Sequence, residues 1–206
     1  MSGRLTVIGL GPGDARWLTP QADAALADAE AIYGYGAYLE QVPVRPGQAR
    51  HPSDNREEQA RAAAALERAA DGANVAVVSG GDPGVFAMAA AVCAEIEAGP
   101  PVWRELDVAI VPGITAMLAV AARVGAPLGH DFCALSLSDN LKPWALVEQR
   151  LDAAAGAGFI IAIYNPGRGH GHGNLAPRSI ASCACCRNQR RSYSDERSGA
   201  PASVWT

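Results

Sequence analysis

The sequence predicts an α/β fold in two domains, and three observations predict it. A short, all-apolar, β-branched run at residues 75–78 breaks at Ser79-Gly80-Gly81-Asp82-Pro83, then resumes at Val85, Met88, Ala89, Val92 and Ile96 with helical spacing. The same order of apolar run, glycine loop and helical pattern recurs at residues 5–31 and 108–124. A linker-like Gly125-Ala126-Pro127-Leu128-Gly129 then precedes one further strand-helix-strand pattern.

The elements follow in order. Residues 5–10 form a buried strand that runs into Gly9-Leu10-Gly11-Pro12-Gly13-Asp14. That loop departs from a dinucleotide fingerprint, because Asp14 holds the third glycine position and Pro12 disrupts the turn into the helix. Thr19-Pro20 reads as an N-cap and a first-turn proline, opening a helix to residue 31. Residues 31–33 form a second strand, and residues 34–39 a loop rich in glycine and tyrosine. Those tyrosines suit stacking on a flat ligand or plain half-buried packing. Residues 51–58 read as the polar start of a helix, with Asp54 and Glu57 spaced as a capping box. The helix runs to residue 70 and stops at Gly72.

Residues 75–78 come next as a strand, and Pro83 fits the first turn of the helix that follows. Ser79 to Asp82 therefore lie at the carboxyl end of a strand, where open α/β sheets bind ligands, although the same residues also make an ordinary βα turn. Residues 108–111 form a fourth strand ending at Pro112-Gly113-Ile114-Thr115-Ala116, and Thr115 can cap the next helix. Residues 132–137 and 159–164 are the fifth and sixth strands, with a helix from Pro143-Trp144 to about residue 155 between them.

Composition limits the function classes. The chain has 206 residues, 49% of them apolar, enough for a real core. Residues 1–166 carry 11 Lys+Arg and 19 Asp+Glu, a net of −8, so the body has no basic footprint for nucleic acid. No secretory signal or membrane-length apolar stretch is present, which points to a soluble cytoplasmic protein with reduced thiols. Cys93 and Cys133 sit in apolar stretches and read as small core residues. No G-x-S-x-G elbow supports acyl transfer.

Residues 167–206 differ from the body. They carry 6 Lys+Arg and 2 Asp+Glu and almost no apolar periodicity, and they read as a frame-shifted or disordered tail. His170, His172, Cys183, Cys185 and Cys186 lack the usual zinc spacing, so no metal is expected.

Taken together, GLGPGD at 9–14, SGGDPGVF at 79–86, PGITA at 112–116 and YNP at 164–166 resemble the tetrapyrrole methylase superfamily. GYGAYL at 34–39, GAPLGHDFCALSLSDNLKPW at 125–144 and FIIAIYNP at 159–166 are similar to its precorrin-3B C(17)-methyltransferase branch. The resemblance runs from residue 4 to residue 166. It implies two α/β domains with the active site in the cleft between them: residues 1–114 with a parallel sheet, and residues 115–166 as the start of a second domain with a mixed sheet, altered or truncated toward the C-terminus. It implies S-adenosylmethionine as methyl donor, a tetrapyrrole substrate and a homodimer. It places the donor on Pro12, Gly80, Gly81, Asp82, Val85, Thr115, Ala116 and Asn165, and it implies methylation of carbon 17 with ring contraction.

Methyl transfer from a sulfonium needs alignment more than acid or base. Ring contraction moves protons, and His130, Asp131, Ser136, Ser138 and Asp139 are candidates for that work by location. The substrate's carboxylates call for cations, and Arg16, Arg50, Arg56, Arg123 and Lys142 are available. Because the tail departs from the family pattern, weak turnover is expected.

Overall fold

The apolar runs at residues 5–10, 31–33, 75–78 and 108–111 become strands of one parallel sheet. The structure is a computed structural model describing residues 3–54, 56–126, 128–138 and 142–165. The chain divides into two compact units, Met1–Val120 and a second beginning at Ala121.

In the first unit, β1 (Arg4–Gly9), β2 (Ala31–Tyr35), β3 (Ala49–Ser53), β4 (Asn74–Ser79) and β5 (Asp107–Val111) lie in the order β3-β2-β4-β1-β5, all parallel. Helices α1 (Pro20–Asp28), α2 (Gly36–Leu39), α3 (Glu58–Ala70), α4 (Met88–Ala98) and α5 (Ala116–Arg123) connect or follow them. Strand side chains alternate between two apolar layers. Leu5, Val7, Val75 and Val77 pack with Ala62, Leu66 and Ala69 of α3 and Met88, Ala89 and Val92 of α4. Ile8, Ala76, Val78 and Ile32 pack on the other face with Ala22 and Leu26 of α1. Each large side chain so buried contributes roughly 1.5–3 kcal/mol.

Sequence logic holds at the capped ends. Thr19 Oγ1 accepts from the Ala22 N–H at 3.1 Å, with Pro20 in the first turn. The Asp54 N–H donates to Glu57 Oε2 at 2.8 Å, one half of the expected capping box. Gly72 follows α3 at φ 98°, a left-handed stop.

Several expectations give way. The first helix ends at Asp28 and residue 31 opens β2. Residues 36–39 are one helical turn rather than loop. The polar segment read as a helix start contains an edge strand, β3, with Pro52 in it. An edge strand tolerates proline because only one side needs ladder donors. Pro83 does not open α4, which begins at Met88. Asp82 Oδ1 accepts from the Gly84 N–H at 2.8 Å, a local turn that competes with the helix. Phe86 then adopts φ 52°, which a right-handed helix cannot include. Cys93 is exposed and Cys133 half-buried, so neither is a core residue. On α4 the buried stripe runs through Met88, Ala89 and Val92, and Cys93 falls beside it.

In the second unit, β6 (Phe132–Ser136) and β7 (Ile160–Tyr164) pair in parallel, and α6 (Trp144–Gly156) connects them. Its sheet's expected mixed character, and the tail at 167–206 with its histidines and cysteines, lie outside the described residues. Among the described residues no helix is long and apolar enough to cross a membrane.

Candidate functional site

The sheet topology marks one place for a ligand. β1 and β4 are adjacent and parallel, with Gly9 opposite Ser79 at their carboxyl ends. The chain leaves β1 toward α1 on one face and leaves β4 toward α4 on the other. Neighbouring strands whose connections part to opposite faces open a crevice at their carboxyl ends.

Three loops meet there through close backbone contact. Gly11 and Gly81 exchange backbone hydrogen bonds, N–H to O at 3.1 Å and 2.7 Å. The Leu10 N–H donates to the Ser79 carbonyl at 2.9 Å. A methyl group on Gly9 would lie 2.6 Å from Gly113 N and 2.7 Å from Gly81 O, and one on Gly113 would overlap the Gly81 carbonyl. Only glycine allows this contact between the loops after β1, β4 and β5. These packing glycines carry no signal in local pattern, since their partners are 30 to 100 residues away in sequence.

Most of the expected donor-site residues of the first unit gather here. Gly81, at φ 70°, faces Ala116 N, Ile114 O and Thr115 Cα, which a methyl would meet in ordinary van der Waals contact at 3.7 to 3.9 Å. Gly80 lies against the Tyr38 ring, which leaves no room for a β-carbon. Thr115 is 6% exposed, and its carbonyl accepts from Leu118 and Ala119 at the start of α5. Val85 is half-buried in the turn before α4. Pro12 is half-buried in the loop after β1. Asp82 uses both carboxylate oxygens: Oδ1 accepts from Gly84 and Oδ2 from the Gly113 N–H at 3.1 Å.

In the second unit, Ser136, Ser138 and Asn165 come together at the carboxyl ends of β6 and β7. Asn165 Nδ2 donates to Ser136 Oγ at 3.0 Å, and the Ser138 N–H donates to the same oxygen at 3.2 Å. Asn165 adopts φ 55°, a left-handed conformation that asparagine tolerates better than most residues. His130 and Asp131 are exposed before the other end of β6, about 17–20 Å of extended chain from Ser136. Asp139 lies outside the described residues.

The cations are unequally available. Arg50 donates to the carbonyls of Leu39, Val42 and Pro43 at 3.0, 2.6 and 3.1 Å, which commits it to the loop before β3. Arg16 pairs with Asp14 at 2.7 Å on the surface. That guanidinium, with the Arg16 backbone N–H, holds the Asp14 carboxyl down at about 2. Arg56 and Arg123 are exposed and Lys142 is half-buried.

Sequence reasoning missed Arg61. It is 5% exposed, donating from Nε to Ser53 Oγ at 2.6 Å, from Nη2 to the Asp54 carbonyl at 2.7 Å and from Nη1 to Met88 Sδ at 3.2 Å. Burial lowers its pKa, against the pull of Glu58 and Glu57. Helical spacing does put position 61 on the inner face with Ala62, Ala65 and Ala69, but an arginine there looks like a surface residue.

Comparison with known proteins places these features. A precorrin-3B C(17)-methyltransferase of Sinorhizobium sp is 61% identical over 166 residues, covering 81% of this chain and 65% of that relative. The chain thus spans just under two thirds of that relative's length. The crystal structure of the methyltransferase CobJ superposes with a TM-score of 0.82 at 50% identity, over 91% of this chain and 77% of that one. A uroporphyrin-III C-methyl transferase from Thermus thermophilus, solved with S-adenyl homocysteine, gives a TM-score of 0.50 at 27% identity, over 66% of this chain and 56% of that one. The family profile for Tetrapyrrole (Corrin/Porphyrin) Methylases matches residues 4–185, further than the resemblance traced from motifs to residue 166. A match over most of the chain, on loops that the sheet brings to one crevice, makes this protein a member of the tetrapyrrole (corrin/porphyrin) methylases.

Proposed function

We propose that this chain is an S-adenosylmethionine-dependent C-methyltransferase of corrin biosynthesis, methylating carbon 17 of precorrin-3B with ring contraction to precorrin-4. The observation that carries the reading is the 61% identity to the Sinorhizobium relative across 166 residues. The meeting of the Gly81 loop with Thr115-Ala116 beyond the carboxyl ends of β4 and β5 supports it, because open α/β sheets bind ligands at such strand ends.

Gly80, Gly81, Val85, Thr115, Ala116 and Pro12 are the residues that would hold S-adenosylmethionine, with Asp82 part of the same loop. Asn165 joins them on the resemblance. When bound, the cofactor supplies an electrophilic methyl group on a positively charged sulfur. The chain's own task is alignment, and holding two reactants in line can contribute roughly 7–11 kcal/mol. For ring contraction Ser136 and Ser138 are favoured over His130 and Asp131, because they share a strand end with Asn165. Arg56, Arg123 and Lys142 are the cations left for substrate carboxylates once Arg16 and Arg50 are engaged. The enzyme would work as a homodimer in the cytoplasm.

The test is a single-turnover incubation of the protein, in excess, with precorrin-3B and S-adenosylmethionine, followed by mass analysis. The expected product carries one additional methyl group. Binding of S-adenosylhomocysteine without any methylated product would reject precorrin-3B as substrate.

A further inference from the structure

The loop after β4 carries one carboxylate, and that carboxylate does not point away into open space. Both of its oxygens are taken by backbone donors, Gly84 within the same loop at 2.8 Å and Gly113 in the loop after β5 at 3.1 Å. The second bond spans 31 residues of sequence. It lands at a junction where a β-carbon on Gly9 or Gly113 would collide with neighbouring backbone. Two and three residues past Gly113 come Thr115 and Ala116, which face Gly81.

We propose that Asp82 is a positioning residue: its carboxylate latches the β4 loop to the β5 loop and so fixes the backbone that faces the cofactor. A carboxylate suits this task because it offers acceptors in two directions and no donor. A hydrogen bond from a backbone N–H to an ionised acceptor is also roughly twice as strong as a neutral one. Asparagine has nearly the same shape but turns one acceptor into a donor, which would face an N–H. Asp82→Asn therefore keeps one arm of the latch and loses the other. The inference rests on the cofactor reading above for its functional half, while the latch itself rests on geometry alone.

The experiment compares wild type, Asp82→Asn and Asp82→Ala as full-length chains, well below their melting temperatures. Amide hydrogen exchange at Gly84 and Gly113 reads the latch. Calorimetric titration with S-adenosylmethionine and with S-adenosylhomocysteine reads its consequence. Gly113 exchange is expected to speed up more than tenfold in Asp82→Ala, and in Asp82→Asn the same acceleration is expected at whichever of Gly84 and Gly113 loses its acceptor. Affinity for the two ligands is expected to fall more than tenfold and by the same factor. Equal losses fit a latch, because only one of the two ligands carries a sulfonium charge.

A loss confined to S-adenosylmethionine would overturn the proposal, making Asp82 a direct charge partner of the sulfonium. A lowered melting midpoint with unchanged affinity would also overturn it, leaving Asp82 a merely structural residue. Unchanged Gly113 exchange in Asp82→Ala would remove the latch. If wild type binds neither ligand, the cofactor reading fails, and accelerated Gly113 exchange in Asp82→Ala still establishes the latch.

Discussion

Arg61 shows how one side chain can join parts that its own sequence neighbourhood does not mention. Its guanidinium sits under α3 and reaches the end of β3 through Ser53 and Asp54, and the start of α4 through Met88. A buried guanidinium stays charged, so every lost partner is costly. Arg61→Ala should destabilise the protein by about 2–4 kcal/mol, from lost charge-assisted bonds and the cavity left behind. Urea denaturation should show a lower midpoint at unchanged slope. A change under about 1 kcal/mol would mean that water takes over the abandoned acceptors. Asp82 illustrates the same point from the other side. Its position in a loop after a strand was legible, and so was its candidacy for a ligand site. Its bond to Gly113 was not, because hydrogen bonds between loops leave no periodic trace.

Elements were legible in proportion to their apolar pattern. The inner strands β1 and β4 alternate between two apolar layers and read as continuous, largely β-branched apolar runs. β3 has the sequence ARHPS and no apolar signal, and it pairs only because β2 offers an open edge. Its Pro52 and polar side chains are what an edge can carry. The start of α4 shifted from Pro83 to Met88 because a side-chain turn at Asp82 outcompeted the helix for the intervening residues. The loops themselves can be tested as elements. Gly113→Ala places a methyl against the Gly81 carbonyl and the Gly9 backbone. Overpacking of this kind costs about 1–3 kcal/mol. We expect a lowered melting midpoint together with weakened S-adenosylhomocysteine binding in calorimetry. A variant that keeps wild-type affinity would show that the three-loop junction does not shape the site.

At the scale of the molecule, both main apolar clusters belong to the first unit, with α3 and α4 on one face of the sheet and α1 and α2 on the other. A ligand held by the crevice loops of that unit must raise its stability by mass action. S-adenosylhomocysteine at about 100 times its dissociation constant should add ~2.7 kcal/mol, or roughly 5–10 °C in melting midpoint for a protein of this size. A melt followed by circular dichroism with and without the ligand checks this. No shift at saturating concentration would speak against the cofactor assignment.

Residue pattern alone fixes the α/β class and the glycine loops at strand ends, because buried strands need apolar runs and ligand loops need small residues, and the ordered motifs carry the family. Cysteines and polar segments misled it wherever a pattern could not say which face or edge a residue would occupy. Cys93 at the margin of a buried stripe, half-buried Cys133 and the polar strand β3 are such cases. Only the tertiary structure decided that β1 and β4 are neighbours, that Gly9, Gly81 and Gly113 touch, and that Asp82 ties two loops together. Those contacts join residues far apart in the chain, and chain order alone does not specify which strands lie side by side.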